Sequence, residues 1–138
     1  MTSPLEAAIY YTRERGWHVI PVPAGTKIPV LKAWQKLCLD VADLDQYIKG
    51  DANLGRLNGE PSGGYVDADF DVPEALEAAT KLMPSTGLVS GRPGNPRSHW
   101  HYISDDCKTH QYEDVAAKGS TSGEMLLELR STGTQTLL

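Results

Sequence analysis

Tyr65-Val66-Asp67-Ala68-Asp69-Phe70 alternates apolar and acidic side chains with a period of two, the repeat of a β-strand. Val66, Ala68 and Phe70 then share one face, and Asp67, Asp69 and the following Asp71 share the other. Reading outward, Pro73 opens a helix through about Leu82, and residues 86–90 form a second strand. Residues 91–96 read as a loop, 99–104 as a third strand, 111–118 as a helix and 124–130 as a fourth strand. The order is β-α-β-β-α-β, a split βαβ arrangement in which the first and third strands lie side by side and the fourth flanks the first.

Upstream, Ser3-Pro4-Leu5-Glu6 is a capping box with proline at the first helical position, predicting a helix over 4–15 that Gly16 stops. Trp17-His18-Val19-Ile20-Pro21-Val22 predicts a strand, followed by a Pro/Gly loop over 23–29 that carries Lys27. A helix is expected from Asp40 to Gly50, then a short apolar segment over 53–57 before the turn Asn58-Gly59. The expected fold is therefore α/β in the α+β sense: an N-terminal α/β module, about 1–60, packed on an RRM-like sheet module, about 61–138. The two modules should form a single domain.

Composition sets limits. The 138 residues are 40% hydrophobic and 22% charged, as in one ordinary globular domain, and no apolar run approaches the roughly 20 residues of a membrane helix. The first residues lack the pattern of a secretion signal, so a cytoplasmic location is expected, in the host if the chain is phage-encoded. Cys38 and Cys107 are too isolated for a disulfide framework or a structural zinc site. A net charge of −5 is opposite to that of a small basic nucleic-acid binder, so contacts with phosphate must come from local patches. Lys27, Lys32 and Lys36 form one acid-free stretch; Arg92, Arg97, His99 and His101 form another.

Two carboxylates at i and i+2 on a strand are roughly 7 Å apart and repel unless water or a cation screens them. A bare Asp-x-Asp also suits a solvated sheet face, and on an exposed face removal of either aspartate should leave the fold intact. The fourth strand, Glu124-Met125-Leu126-Leu127-Glu128-Leu129-Arg130, adds weight, because a lone carboxylate in an apolar strand is costly to desolvate without a partner. With Leu127 and Leu129 toward the core, Glu128 and Arg130 fall beside Asp67 and Asp69. Three carboxylates are then expected to converge on Mg2+ or Mn2+, as in a two-metal phosphoryl-transfer centre. On the third strand His99 and His101 share one face and can donate to phosphate. Ser90-Gly91-Arg92-Pro93-Gly94-Asn95 has the glycines and the cation of a phosphate-gripping turn, although a hairpin loop needs no function.

These residues, in this order, resemble the N-terminal primase/polymerase (Prim-Pol) domain of the archaeo-eukaryotic primase superfamily, found in plasmid and bacteriophage replication proteins. The likeness runs over almost the whole chain, through Gly25-Thr26-Lys27-Ile28-Pro29, Asn53-Leu54-Gly55, Asp67-Ala68-Asp69, Ser90-Gly91-Arg92, a strand histidine and Glu128-Leu129-Arg130. It implies template-directed nucleotidyl transfer, by a DNA primase or polymerase acting on DNA template, primer and nucleoside triphosphates. Asp67, Asp69 and Glu128 would be the metal-binding catalytic carboxylates. His99, or His101 as the second candidate, would contact the triphosphate together with Ser90, Arg92, Arg97 and Arg130; Lys27 and Asn53 are candidates for nucleotide or template contact. This chain departs from the family pattern at Arg97-Ser98-His99, where the small residue adjoins the histidine, and at Glu128, where the family often has aspartate. A longer, helicase-linked parent protein is expected. Two rivals use the same features: a metal-dependent nuclease, and a non-catalytic module that binds nucleic acid on an RRM-like sheet.

Overall fold

The structure, a computed structural model, describes residues 2–114 and 124–138. Helix α1 (Pro4–Arg15) starts as its sequence dictates: Ser3 Oγ accepts from the Glu6 amide at 3.2 Å, and Glu6 Oε2 accepts from the Ser3 amide at 2.8 Å. It lays Leu5, Ala8 and Ile9 against Val19, Leu44 and Leu54, forming the N-terminal core. Strands β1 (Val19–Val22) and β2 (Asn53–Leu57) pair antiparallel. Between them, after a 3-10 turn at Trp34–Lys36, a single α-helical turn, α2 (Leu44–Tyr47), stands in place of the helix expected over 40–50. Asp40, Val41, Asp43 and Asp45 are poor helix formers, and burying Leu39, Leu44 and Ile48 needs no longer element.

The larger sheet is built on β3 (Tyr65–Phe70), with α3 (Pro73–Leu82) following as the sequence predicts. Strands β4 (Val89–Arg92) and β5 (Asn95–Ile103) form a tight hairpin where a six-residue loop was expected. Gly91 permits it, because a Cβ there would meet the Asn95 carbonyl oxygen at 2.1 Å. Strand β7 (Glu124–Arg130) lies on the other side of β3, and with β6 (His110–Asp114) beyond it the spatial order is β4-β5-β3-β7-β6. The fold is α+β, and β3 has the two neighbours predicted for it.

Two strands were not foreseen. Residues 110–114 form β6 (His110–Asp114) against β7, where a helix over 111–118 was expected; residues 115–118 lie outside the described residues. Pairing with the open edge of β7 outweighs a weak helical pattern. Strand β8 (Gln135–Leu137) returns to β2 and completes a three-stranded sheet, β1-β2-β8, so the last residues pack with the N-terminal module. Gly59, at φ 74°, lets the chain after β2 pass against the β7–β8 turn, where any Cβ would meet the Thr132 amide at 2.2 Å. Among the described residues no helix is long and apolar enough to cross a membrane.

One face of β3 holds Ala68 and Phe70 against α3 and Trp100. The acidic face was expected to be open to water. Instead every residue of β3 is buried, because β2 and β8 roof that face.

Candidate active site

Strand register builds two cross-strand rows. His99, Asp69 and Glu128 align in one, with Gln111 beyond; His101, Asp67 and Arg130 align in the next. The rows form part of the wall of a cleft of about 900 Å³, also lined by Trp17, Lys27, Trp34, Ser90, Arg92 and Thr136.

Asp67 is wholly buried and is not itself part of the cleft's lining. It accepts from Thr136 Oγ1 at 2.5 Å and from His99 Nδ1 at 3.0 and 3.1 Å. Burial alone would raise its carboxyl; hydrogen bonds from His99 and Thr136 and the charge of His99 outweigh burial and hold it below the usual range. The same hydrogen bond, against the opposing effect of burial, raises His99 above an ordinary imidazole. His99 Nδ1–H thus donates to Asp67, while Nε2 has no hydrogen-bond partner among the described residues. The exposed face on which the expected tolerance of Asp67 removal rested is therefore corrected: Asp67 is buried, and its loss would strand Thr136 and His99.

Asp69 and Glu128 are joined by a shared cation. Arg130 Nη2 is 2.7 Å from Asp69 Oδ2, and Arg130 Nε is 2.8 Å from Glu128 Oε2. Glu128 also accepts from Gln111 Nε2 at 3.2 Å, and His99 Nδ1 lies 3.6 Å from Asp69 Oδ1. Burial raises the Asp69 carboxyl, and Arg130 and His99 offset this only in part. Among the described residues no group of three or more His, Cys, Asp or Glu side chains is arranged as a metal site; the three carboxylates are engaged by His99, Thr136 and Arg130. Asp67 turns to His99 and Thr136, leaving Asp69 and Glu128 as a pair.

His101 has a different environment from His99. Its Nδ1 accepts from Arg56 Nη2 at 3.3 Å, since a guanidinium can only donate, so Nε2–H donates to Ser90 Oγ at 2.8 Å. Burial, with Arg56 and His99 nearby, lowers its pKa to about 4. The unfolded chain, with an ordinary imidazole, then binds a proton that the folded one excludes, so this histidine makes stability fall as pH drops from about 6.5 to about 4. In chemical denaturation without divalent ions, His101→Gln should flatten that part of the stability curve relative to wild type. Parallel curves for the two proteins would contradict a buried neutral His101.

Arg56 supports this arrangement. It is 1% exposed, with its guanidinium 3.7 Å from the Tyr65 ring centroid and 4.7 Å from that of Trp17. It donates to Asn58 Oδ1 at 3.2 and 3.3 Å; Asn58 Nδ2 donates to Thr136 Oγ1 at 3.0 Å, and Thr136 in turn to Asp67. Sequence reasoning missed Arg56, Asn58 and Thr136. The signal for Arg56 was available, because a cation inside the segment read as apolar is as costly to desolvate as Glu128 in its own strand.

The other predicted residues divide. Ser90, Arg92 and Lys27 line the cleft, whereas Arg97 is exposed on β5 and is not part of its lining. Asn53 is not part of the lining either; its Nδ2 donates to the Thr26 carbonyl at 3.0 Å and fixes the loop that carries Lys27.

The fold and cleft define an α+β domain whose antiparallel sheet offers carboxylates, histidine and arginine from adjacent strands to one concave surface. The chain belongs to the family of N-terminal domains of bifunctional DNA primase/polymerases, whose family model matches residues 8–138. At the family level this is nucleotidyl transfer of the DNA primase/polymerase type, acting on DNA and nucleotides and generally dependent on metal. No curated protein matches the chain.

Proposed function

We propose that this cleft joins nucleoside triphosphates to a DNA-templated strand, with Asp69 and Glu128 as the central carboxylates. The observation that carries the proposal is their sharing of one cation, Arg130, from neighbouring strands beside His99. Two hard-oxygen carboxylates that already share a positive charge fit a magnesium-type ion, which uses few protein ligands and fills the rest of its shell with water and phosphate. Asp69 and Glu128 would hold Mg2+ or Mn2+, with Asp67 as a further candidate only if it leaves Thr136 or His99. Such an ion lowers the pKa of an attacking 3′-hydroxyl and offsets charge on the phosphoryl oxygens.

The chain's own groups bind and orient the triphosphate. His99 is anchored through Nδ1–H to Asp67, which favours the protonated ring; in that form its Nε2–H donates to a phosphate oxygen. Ser90 Oγ accepts from His101, which leaves its own proton for a second phosphate oxygen. Arg92 and Arg130 supply the remaining positive charge. Attack of the 3′-oxygen on the α-phosphorus forms the new ester and releases pyrophosphate.

The test is a labelled primer on single-stranded template, with each nucleotide set in turn and Mg2+ or Mn2+. Lengthening that requires triphosphates is expected; shortening without them would identify a nuclease instead. His99→Ala should lower incorporation efficiency about tenfold to a hundredfold, the worth of one hydrogen bond to a charged group. His101→Ala should act less on nucleotide use and more on stability. A larger activity loss in His101→Ala would move the phosphate contact to that residue.

A further inference from the structure

Residues 23–36 follow β1, and the proposed reaction leaves most of them without a task. The segment contains Lys27, Lys32 and Lys36 and no acid, in a chain of net charge −5. All three lysines are exposed, and among the described residues none is ion-paired. Ile28 and Val30, between them, are each 73% exposed.

The backbone beneath these side chains is tied down. Asn53 Nδ2 donates to the Thr26 carbonyl at 3.0 Å, Gln135 Nε2 to the Lys27 carbonyl at 3.0 Å, and Thr26 Oγ1 to the Pro23 carbonyl at 2.9 Å. Ala33 adopts φ 53°, a left-handed conformation uncommon for a residue with a Cβ, immediately before Trp34. Trp17 stacks on Tyr11 and meets Tyr65 edge-on, and Trp100 meets Phe70. Trp34 alone of the tryptophans meets no other aromatic ring among the described residues, and with Lys27 it lines the cleft that holds Asp69 and Glu128.

We propose that residues 24–36 receive single-stranded DNA, the template strand at the mouth of the cleft, a surface assignment that rests on the nucleotidyl-transfer reading. The lysines neutralise successive phosphates, Trp34 stacks on a base, and Ile28 and Val30 cover apolar sugar and base edges. Cations beside an aromatic ring that stacks on no other ring suit a single strand, because every base offers a π-face regardless of sequence. A duplex would satisfy the lysines but hide its base faces from Trp34.

The experiment is fluorescence anisotropy of a labelled oligothymidylate with the full chain in EDTA and without nucleotides, so that catalysis does not enter. Replacing Lys27, Lys32 and Lys36 together by Gln should make the slope of log K against log salt shallower by about 2, at about 0.7 for each phosphate no longer neutralised. Trp34→Ala should weaken binding about tenfold or more, and Trp34→Phe should restore most of it. A hairpin duplex should bind more weakly than the single strand. The proposal is overturned if wild type does not bind, if both the lysine and the Trp34→Ala variants bind within twofold of wild type, or if the duplex binds as tightly. A wild-type chain that binds single strands through this segment but never extends a primer would overturn the nucleotidyl-transfer reading while leaving the surface assignment in place.

Discussion

Glu128→Gln is expected to reduce nucleotide incorporation by roughly two to four orders of magnitude while leaving the fold in place. Glutamine keeps the length and volume of the side chain and can still accept from one of Gln111 and Arg130 Nε, so β7 gives up one part-buried hydrogen bond and no volume. The change removes one of the two charges that Arg130 bridges at 2.7 and 2.8 Å. A structural ion pair on a partly solvated sheet face is worth about 0–1 kcal/mol, so a Glu128 that only anchored Arg130 would give a small stability loss and near-normal turnover. A catalytic Glu128 gives the reverse, with weaker Mn2+ affinity and partial rescue at high metal concentration. Steady-state primer extension alongside a thermal melt separates the two outcomes.

Arg56→Ala should produce the largest stability loss, about 3–5 kcal/mol. It leaves a void between Trp17 and Tyr65 and strips partners from Asn58 Oδ1 and His101 Nδ1, both buried. Arg56→Met refills much of the volume without the charge, so its loss should be clearly smaller. Urea titrations should show the midpoint falling at nearly constant slope. A loss below about 1 kcal/mol in Arg56→Ala would mean that the aromatic pair and His101 close up without the guanidinium.

Elements with strong local signals were legible in the sequence. The Ser3/Glu6 box, the alternation over 65–70 and the proline that opens α3 placed their elements where the structure has them. The placement of Glu128 and Arg130 on the face of Asp67 and Asp69 also followed, because Leu127 and Leu129 had to face the core; the register that sets Glu128 against Asp69 did not. Partners distant in sequence were not legible. Strand β6 exists because β7 offers an edge, and β8 because β2 does; neither fact is written in residues 110–114 or 135–137.

Asp67 carries the same lesson for the site. Period-two alternation puts its side chain on the face opposite Phe70 but cannot say whether that face meets water or a second layer. The layer arrives with Thr136, 69 residues further along the chain. A residue read as an exposed, repelled carboxylate is instead a buried acceptor that fixes His99. Repulsion between Asp67 and Asp69 is relieved by His99 and Arg130, so much of the screening assigned to a divalent ion is already supplied by the chain.

Glu128 and Asp69 as the pair that holds the catalytic ion is the central claim, and its most direct test is anomalous scattering from crystals grown with Mn2+ and a non-hydrolysable nucleoside triphosphate. The account predicts manganese density bounded by Asp69 and Glu128, the triphosphate beside His99 and Ser90, and Arg130 withdrawn from at least one carboxylate. Manganese bound elsewhere, with Arg130 still bridging Asp69 and Glu128 and the triphosphate in place, would contradict it.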